Sequence, residues 1–151
     1  MYNRILVPTD GSHTATLGLR EAIKLAEAQG SQIRIIHVLD ELLTVSSEIY
    51  GVLSDRIIEQ LRKSGSAFLA TAQTLARNAG ISVETQLVET LGGPAGEYIV
   101  RAAKDWPADL IVCGTHGRRG LRRIVLGSDA EYIVSHSTVP VLLIRHAEAN
   151  T

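Results

Sequence analysis

Residues 5–39 read ILVPTDGSHTATLGLREAIKLAEAQGSQIRIIHVL, and this stretch decides the fold. Ile5-Leu6-Val7 is a short apolar run stopped by the turn-rich cluster Pro8-Thr9-Asp10-Gly11. From residue 12 to 29, Ala15, Leu19, Ala22, Ile23 and Ala26 fall on one helical face, and Gly30 is placed as a C-cap. Ile33 to Leu39 is a second apolar, β-branched run. A strand, a helix and a strand thus follow one another with only a few residues between them.

The same alternation runs outward to the end of the chain. Ile57, Leu61, Phe68, Ala72, Leu75 and Ala79 keep helical spacing from about 54 to 79, closed by Gly80. Residues 81–88 read as a third strand. Gly92-Gly93-Pro94 opens a helix with Ala95, Tyr98, Ile99, Ala102 and Trp106, Pro94 suiting its first helical position. Leu110–Cys113 is a fourth strand, Ser128 to about Ser137 a last helix with Ser128 as a good N-cap, and Val139–Ile144 a fifth strand. Alternation of this kind implies an α/β fold: a parallel sheet with helices on both faces. Residues 40–53 are the least periodic and read as a surface excursion. The expected layout is one domain over 1–146 and a tail over 147–151.

The strands differ in ways that place them. The first, second and fourth are continuously apolar, as interior parallel strands are. The third alternates, with Ile81, Val83, Thr85 and Leu87 against a wet face of Ser82, Glu84 and Gln86, which puts it at an edge. The fifth is apolar on both faces, yet Pro140 cannot donate to a ladder and belongs near a strand start or on an edge. So apolar an edge needs a cover, and a second copy of the chain is the simplest one: a homodimer through strand 139–144.

Composition bounds the class. With 151 residues the chain buries roughly 70% of its unfolded surface without staples. Fifteen Lys and Arg against sixteen Asp and Glu leave a formal charge of −1, which argues against a dedicated nucleic-acid or membrane-surface binder. The four arginines at 118, 119, 122 and 123 come without aromatic stacking partners, which ranks nucleic acid last. One cysteine makes no internal bridge and suits a reducing compartment. No run approaches the roughly 20 apolar residues of a membrane span, and the start lacks a signal peptide's layout, so a cytoplasmic protein is expected.

In open parallel sheets ligands bind beyond the carboxyl ends of the strands, where the strand order reverses. The segment there with most chemistry is Gly114-Thr115-His116-Gly117-Arg118-Arg119-Gly120, followed by Gly127-Ser128 at a helix start. Glycines let backbone amides approach a ligand, a helix N-terminus concentrates N–H donors, and the arginines add charge, which together describe a phosphate cradle. The same glycines also suit an ordinary turn, and Asp10 before Gly11 is ordinary turn chemistry as well. His37 reads as a satisfied core or interface residue and His116 as a phosphate contact. Cys113 reads as an inert buried thiol.

Gly114, Gly117, Gly127 and Ser128 fit Gly-x2-Gly-x9-Gly-Ser/Thr, which resembles the nucleotide-binding signature of the universal stress protein family. Arg4 to Ser12, His37-Val38 and Val139 to Leu143 resemble that family's first strand and turn, second strand and last strand. The resemblance implies a Rossmann-like sheet ordered 3-2-1-4-5, a dimer through the fifth strand, and ATP (or ADP or AMP) at the ends of strands 1 and 4. Pro8, Thr9 and Asp10 would border adenine and ribose, and the Val38 backbone would meet the adenine edge. Gly114, Thr115, His116, Gly117 and Arg118 would wrap ribose and phosphates beside Arg119. Gly127 and Ser128 would hold the outer phosphates, bridged by a divalent cation such as Mg²⁺.

Asp129 would face those phosphates. At about 4 Å and an effective dielectric near 20, like charges repel by roughly 4 kcal/mol, so Asp129 either turns away as a helix-start residue or reaches phosphate through Mg²⁺. Three functions stay open: a nucleotide-dependent regulatory or stress-survival module, a slow Mg-dependent ATPase or phosphoryl-transfer enzyme, and a non-catalytic dimer stabilised by nucleotide.

Overall fold

The computed structural model describes residues 1–40, 51–116 and 126–146. Among these residues nine elements follow in order: β1 Arg4–Pro8, α1 His13–Gln29, β2 Gln32–Asp40, α2 Gly51–Asn78, β3 Val83–Thr90, α3 Ala95–Asp105, β4 Leu110–Gly114, α4 Ser128–His136 and β5 Val141–Ile144. The strands form one parallel sheet in the order β3-β2-β1-β4-β5. The two strands read as edges from their patterns are the edges. Of the expected excursion over 40–53, residues 41–50 lie outside the described residues, Asp40 ends β2, and residues 51–53 already belong to α2.

The continuous apolar runs are explained by cover on both faces. Ile5, Val7, Ile33, Ile35, Leu110 and Val112 pack with α1 and α2 on one side. Leu6, Ile36, Ile111 and Cys113 pack with α3 and α4 on the other. Ile5, Leu6 and Val7 are each 0% exposed, so alternate residues of one strand serve two separate cores. Trp106 caps the end of α3 and is buried, with the Arg34 guanidinium 4.6 Å from its ring centre and Arg34 paired to Glu84 at 3.0 Å.

Element ends depart from the sequence reading in four places. Ile81 N–H donates to the Ala76 carbonyl at 3.1 Å, so residue 81 closes α2 and β3 starts only at Val83. The wet face of β3 is also wrong in part, because Thr85 is exposed while Gln86 is half-buried. Pro94 is the N-cap of α3, at ψ 139°, and Ala95 is its first helical residue. Gly127 is the N-cap of α4, so Ser128 is the first residue inside that helix. β5 begins at Val141, since Pro140 has no N–H to give, although its carbonyl accepts from Ile111 N–H at 3.0 Å.

The buried stripe of α2 differs too. Leu69, Ala72 and Ala76 face the sheet, and Phe68 sits beside them, turned toward the β1–α1 turn.

Candidate functional site

The sheet order reverses between β1 and β4, and the segments leaving those strands diverge to either side. After β1 the backbone makes a tight turn. Thr9 N–H donates to the Ile36 carbonyl (2.8 Å), Ser12 N–H donates to Asp10 Oδ1 (2.9 Å), and Ser12 Oγ accepts from Ala15 N–H to cap α1. Gly11, at φ +79°, is required twice over: its conformation is left-handed, and a Cβ there would lie 2.6 Å from the Phe68 ring.

His37 completes this turn from β2. Its Nδ1 lies 2.7 Å from the Thr9 carbonyl, an acceptor, so Nδ1 carries the proton. Phe68 meets the imidazole edge-on at 5.6 Å, and Gly65 of α2 leaves room for the ring.

After β4 the chain departs and returns through a closed neck. Thr115 N–H donates to the Ile144 carbonyl (3.0 Å), and Gly127 N–H donates to the Thr115 carbonyl (2.7 Å). That second bond joins the two ends of the glycine motif, so Gly114 and Gly127 face one space. Thr115 is buried, its Oγ1 lies 3.0 Å from His116 Nδ1, and His116 Nε2 is buried with no partner among the described residues. A buried polar atom without a partner is costly unless something else meets it.

The helices α3 and α4 bring their N-termini together on the outer side. Asp129 Oδ1 accepts from Gly96 N–H at 3.1 Å, tying the first turn of α4 to the first turn of α3. A Cβ on Gly96 would lie 2.9 Å from Tyr132 Cβ, so this approach needs glycine. Gly127, the N-cap of α4, has no side chain to cap the helix, and among the described residues none does so for its first-turn amides, which have no intrahelical acceptors.

These segments enclose a cavity of about 620 Å³, inside the ~300–1,000 Å³ span of small-molecule sites. Pro8, Thr9, Asp10, Val38, Gly114, Thr115, His116, Gly127, Ser128 and Asp129 all line it. Gly117, Arg118 and Arg119 lie outside the described residues. The inner wall is apolar and was missed in the sequence: Ile36, Ala95, Ile99, Ala130 and Ile133, the last four being adjacent turns of α3 and α4. Sequence reading places Ala95 and Ile99 on a helix and does not single out Ala130 or Ile133.

Cys113 lines it as well, and burial pushes its thiol up to about 11. A thiol so raised stays protonated and is a poor nucleophile. A second hollow of similar volume follows α1 from His13 to Lys24, away from the strand reversal. Among the described residues no three His, Cys, Asp or Glu side chains gather as a metal site. No helix there is long and apolar enough to cross a membrane.

A model of the universal stress protein family matches residues 1–145. The chain belongs to that family. It is 35% identical over 145 residues to universal stress protein MJ0531 of Methanocaldococcus jannaschii, covering 96% of this chain and 83% of that one. It is 34% identical over 151 residues to universal stress protein YxiE of Bacillus subtilis, covering 96% and 100%.

Among solved structures, the hypothetical protein MJ0577 superposes with a TM-score of 0.84 at 28% identity over 99% of both chains. Two more universal stress proteins share the fold at 24% identity over 95% of this chain. One was solved in complex with cAMP (TM-score 0.68, 97% of that chain), and one from Archaeoglobus fulgidus in complex with dAMP (0.66, 98%).

Proposed function

We propose that this universal stress protein binds an adenine nucleotide, ATP or its mono- or diphosphate, between the ends of β1 and β4. On this reading it acts as a nucleotide-dependent regulatory module. The observation that carries the reading is the Gly127 N–H to Thr115 carbonyl bond, which brings Gly114 to His116 and Gly127-Ser128, the described ends of the motif, onto one cavity. The cavity suits such a ligand from end to end. Ile36, Val38 and Ile99 offer an apolar slot for a base, with the Val38 backbone at its edge. Asp10 and Thr9 border the ribose. His116 Nε2, buried and without a described partner, meets an oxygen of the ligand. The uncapped start of α4 offers the amides of Ser128 to Ala130 to phosphate.

Mg²⁺ would arrive with the phosphates, since the described residues hold no ready-made metal cluster. It would neutralise phosphate charge. Arg118 and Arg119 belong to the same reading as phosphate contacts, and β5 to a dimer interface.

The test is to purify the protein without added nucleotide, denature it, and identify what is released by absorbance and mass. Near-stoichiometric adenine nucleotide is expected, and its ATP-to-ADP ratio reports turnover. No release, together with no heat of binding for ATP, ADP or AMP with Mg²⁺, overturns the reading.

A further inference from the structure

The parallel ladder between β1 and β2 stops one bond short of where its register would carry it. Even-numbered residues of β2 bond toward β1: Gln32 N–H donates to the Asn3 carbonyl at 2.8 Å, and the Ile36 carbonyl accepts from Thr9 N–H at 2.8 Å. Odd-numbered ones bond toward β3, as Ile33 N–H does to the Ser82 carbonyl at 2.9 Å. The next bond in this series joins Val38 N–H to the Thr9 carbonyl, and it is not formed. The Thr9 carbonyl lies instead 2.7 Å from Nδ1 of His37, the residue before Val38. The Val38 backbone therefore faces the space that β1 has left, and Val38 lines the cavity there.

The imidazole is packed into this place. His37 follows Ile33 and Ile35 on the face of the sheet that α1 and α2 cover. Phe68 of α2 meets the ring edge-on, and a Cβ on Gly65 would lie 2.7 Å from its Cδ2, so α2 holds the ring against Thr9. We propose that His37 is a positioning residue: by taking the Thr9 carbonyl it keeps the ladder open and leaves the Val38 N–H to the ligand. This rests on the nucleotide reading above, in which the Val38 backbone meets the base. A backbone donor without its ladder partner turns to water in the empty cavity. A ring nitrogen of the base, an acceptor, takes the water's place, so binding completes a bond that folding leaves unmade.

The test joins hydrogen exchange at the Val38 amide to AMP titration, on nucleotide-stripped wild type, His37→Leu and His37→Asn. Asparagine puts an N–H donor close to the position of Nδ1, whereas leucine fills the apolar space and donates nothing. In wild type the Val38 amide is expected to exchange at least about tenfold faster than the laddered Ile36 amide, and AMP is expected to slow it. In His37→Leu the released Thr9 carbonyl takes Val38 N–H. That amide is then protected without ligand, AMP binds about tenfold more weakly, and resistance to urea equals or exceeds that of wild type. His37→Asn is expected to bind AMP within about threefold of wild type while being the less stable of the two variants. Stability and affinity thus rank the variants in opposite orders, which a merely structural role for His37 does not produce. Unchanged AMP affinity in His37→Leu, or equal losses in both variants, overturns the proposal. So does a Val38 amide as protected as Ile36 in nucleotide-free wild type, a measurement that needs no variant. Binding of neither AMP nor ATP by wild type overturns the nucleotide reading and the ligand role of His37 with it, and the Val38 exchange rate tells that failure from a closed ladder.

Discussion

At the scale of single residues, Cys113 gives the clearest pH signature. Its thiol is pushed from 9.0 to about 11 by burial in the core between the sheet and α3. The folded state therefore holds the proton more tightly than the unfolded chain does. That advantage is fully present below about pH 9 and is lost as the pH rises toward about 11. At 1.36 kcal/mol per unit it amounts to roughly 2–3 kcal/mol. Urea unfolding of wild type and Cys113→Ala at pH 8 and pH 10.5 isolates it, because the other titrating groups are common to both. Wild type should lose more stability over that interval, and an equal loss in the two proteins would refute the assignment.

Residue identities in the candidate site were largely legible: Asp10, Gly114, His116 and Ser128 stand out by type and spacing, and all line the cavity. Their partners were not. His37 on Thr9, Phe68 on Gly11 and Asp129 on Gly96 join positions 28, 57 and 33 apart. Local spacing carries no signal for such pairings.

At the scale of elements, the sequence marked helices and strands through periodicity but misplaced ends wherever a cap or a tertiary bond decides them. Ser128 has the chemistry of an N-cap, yet Gly127 takes that place because its N–H is bound to Thr115. Gln86, polar and expected wet, is half-buried because side-chain alternation places it beside Val88 and under the fringe of the second core. The contact between α3 and α4 is the element-level feature on which the site depends, and Gly96 makes it possible. A methyl group there would lie 2.9 Å from Tyr132 Cβ and 3.0 Å from the Asp129 carbonyl oxygen, which the helices relieve only by moving apart. Gly96→Ala should therefore destabilise the protein by about 1–3 kcal/mol, despite alanine's better helix propensity. Thermal or urea denaturation reads this directly. An unchanged or raised stability would show that the helices are not in close contact.

At the scale of the whole molecule, the two sheet edges are treated differently. β3 carries Glu84, paired with Arg34, and Glu89, paired with Arg62 of α2, so charged side chains guard that edge. Among the described residues β5 has no such guard. It reads Val-Leu-Leu-Ile, pairs among the described residues with β4 alone, and leaves Leu142 36% exposed, while α4 packed beside it leaves Val134 47% exposed. An apolar edge strand bare of charge is a template for another strand, and a second copy offers the same strand in a two-fold arrangement. Pairing two β5 strands would extend the sheet across both chains without disturbing the β1–β4 cavity. Light scattering on the purified protein at micromolar concentration should accordingly give twice the 16.3 kDa chain mass. Leu142→Arg, which introduces charge at an exposed position and leaves both cores untouched, should return it to the chain mass while keeping the fold by circular dichroism. A wild-type mass of one chain at that concentration would mean that β5 is a tolerated bare edge and that the β1–β4 cavity belongs to a monomer.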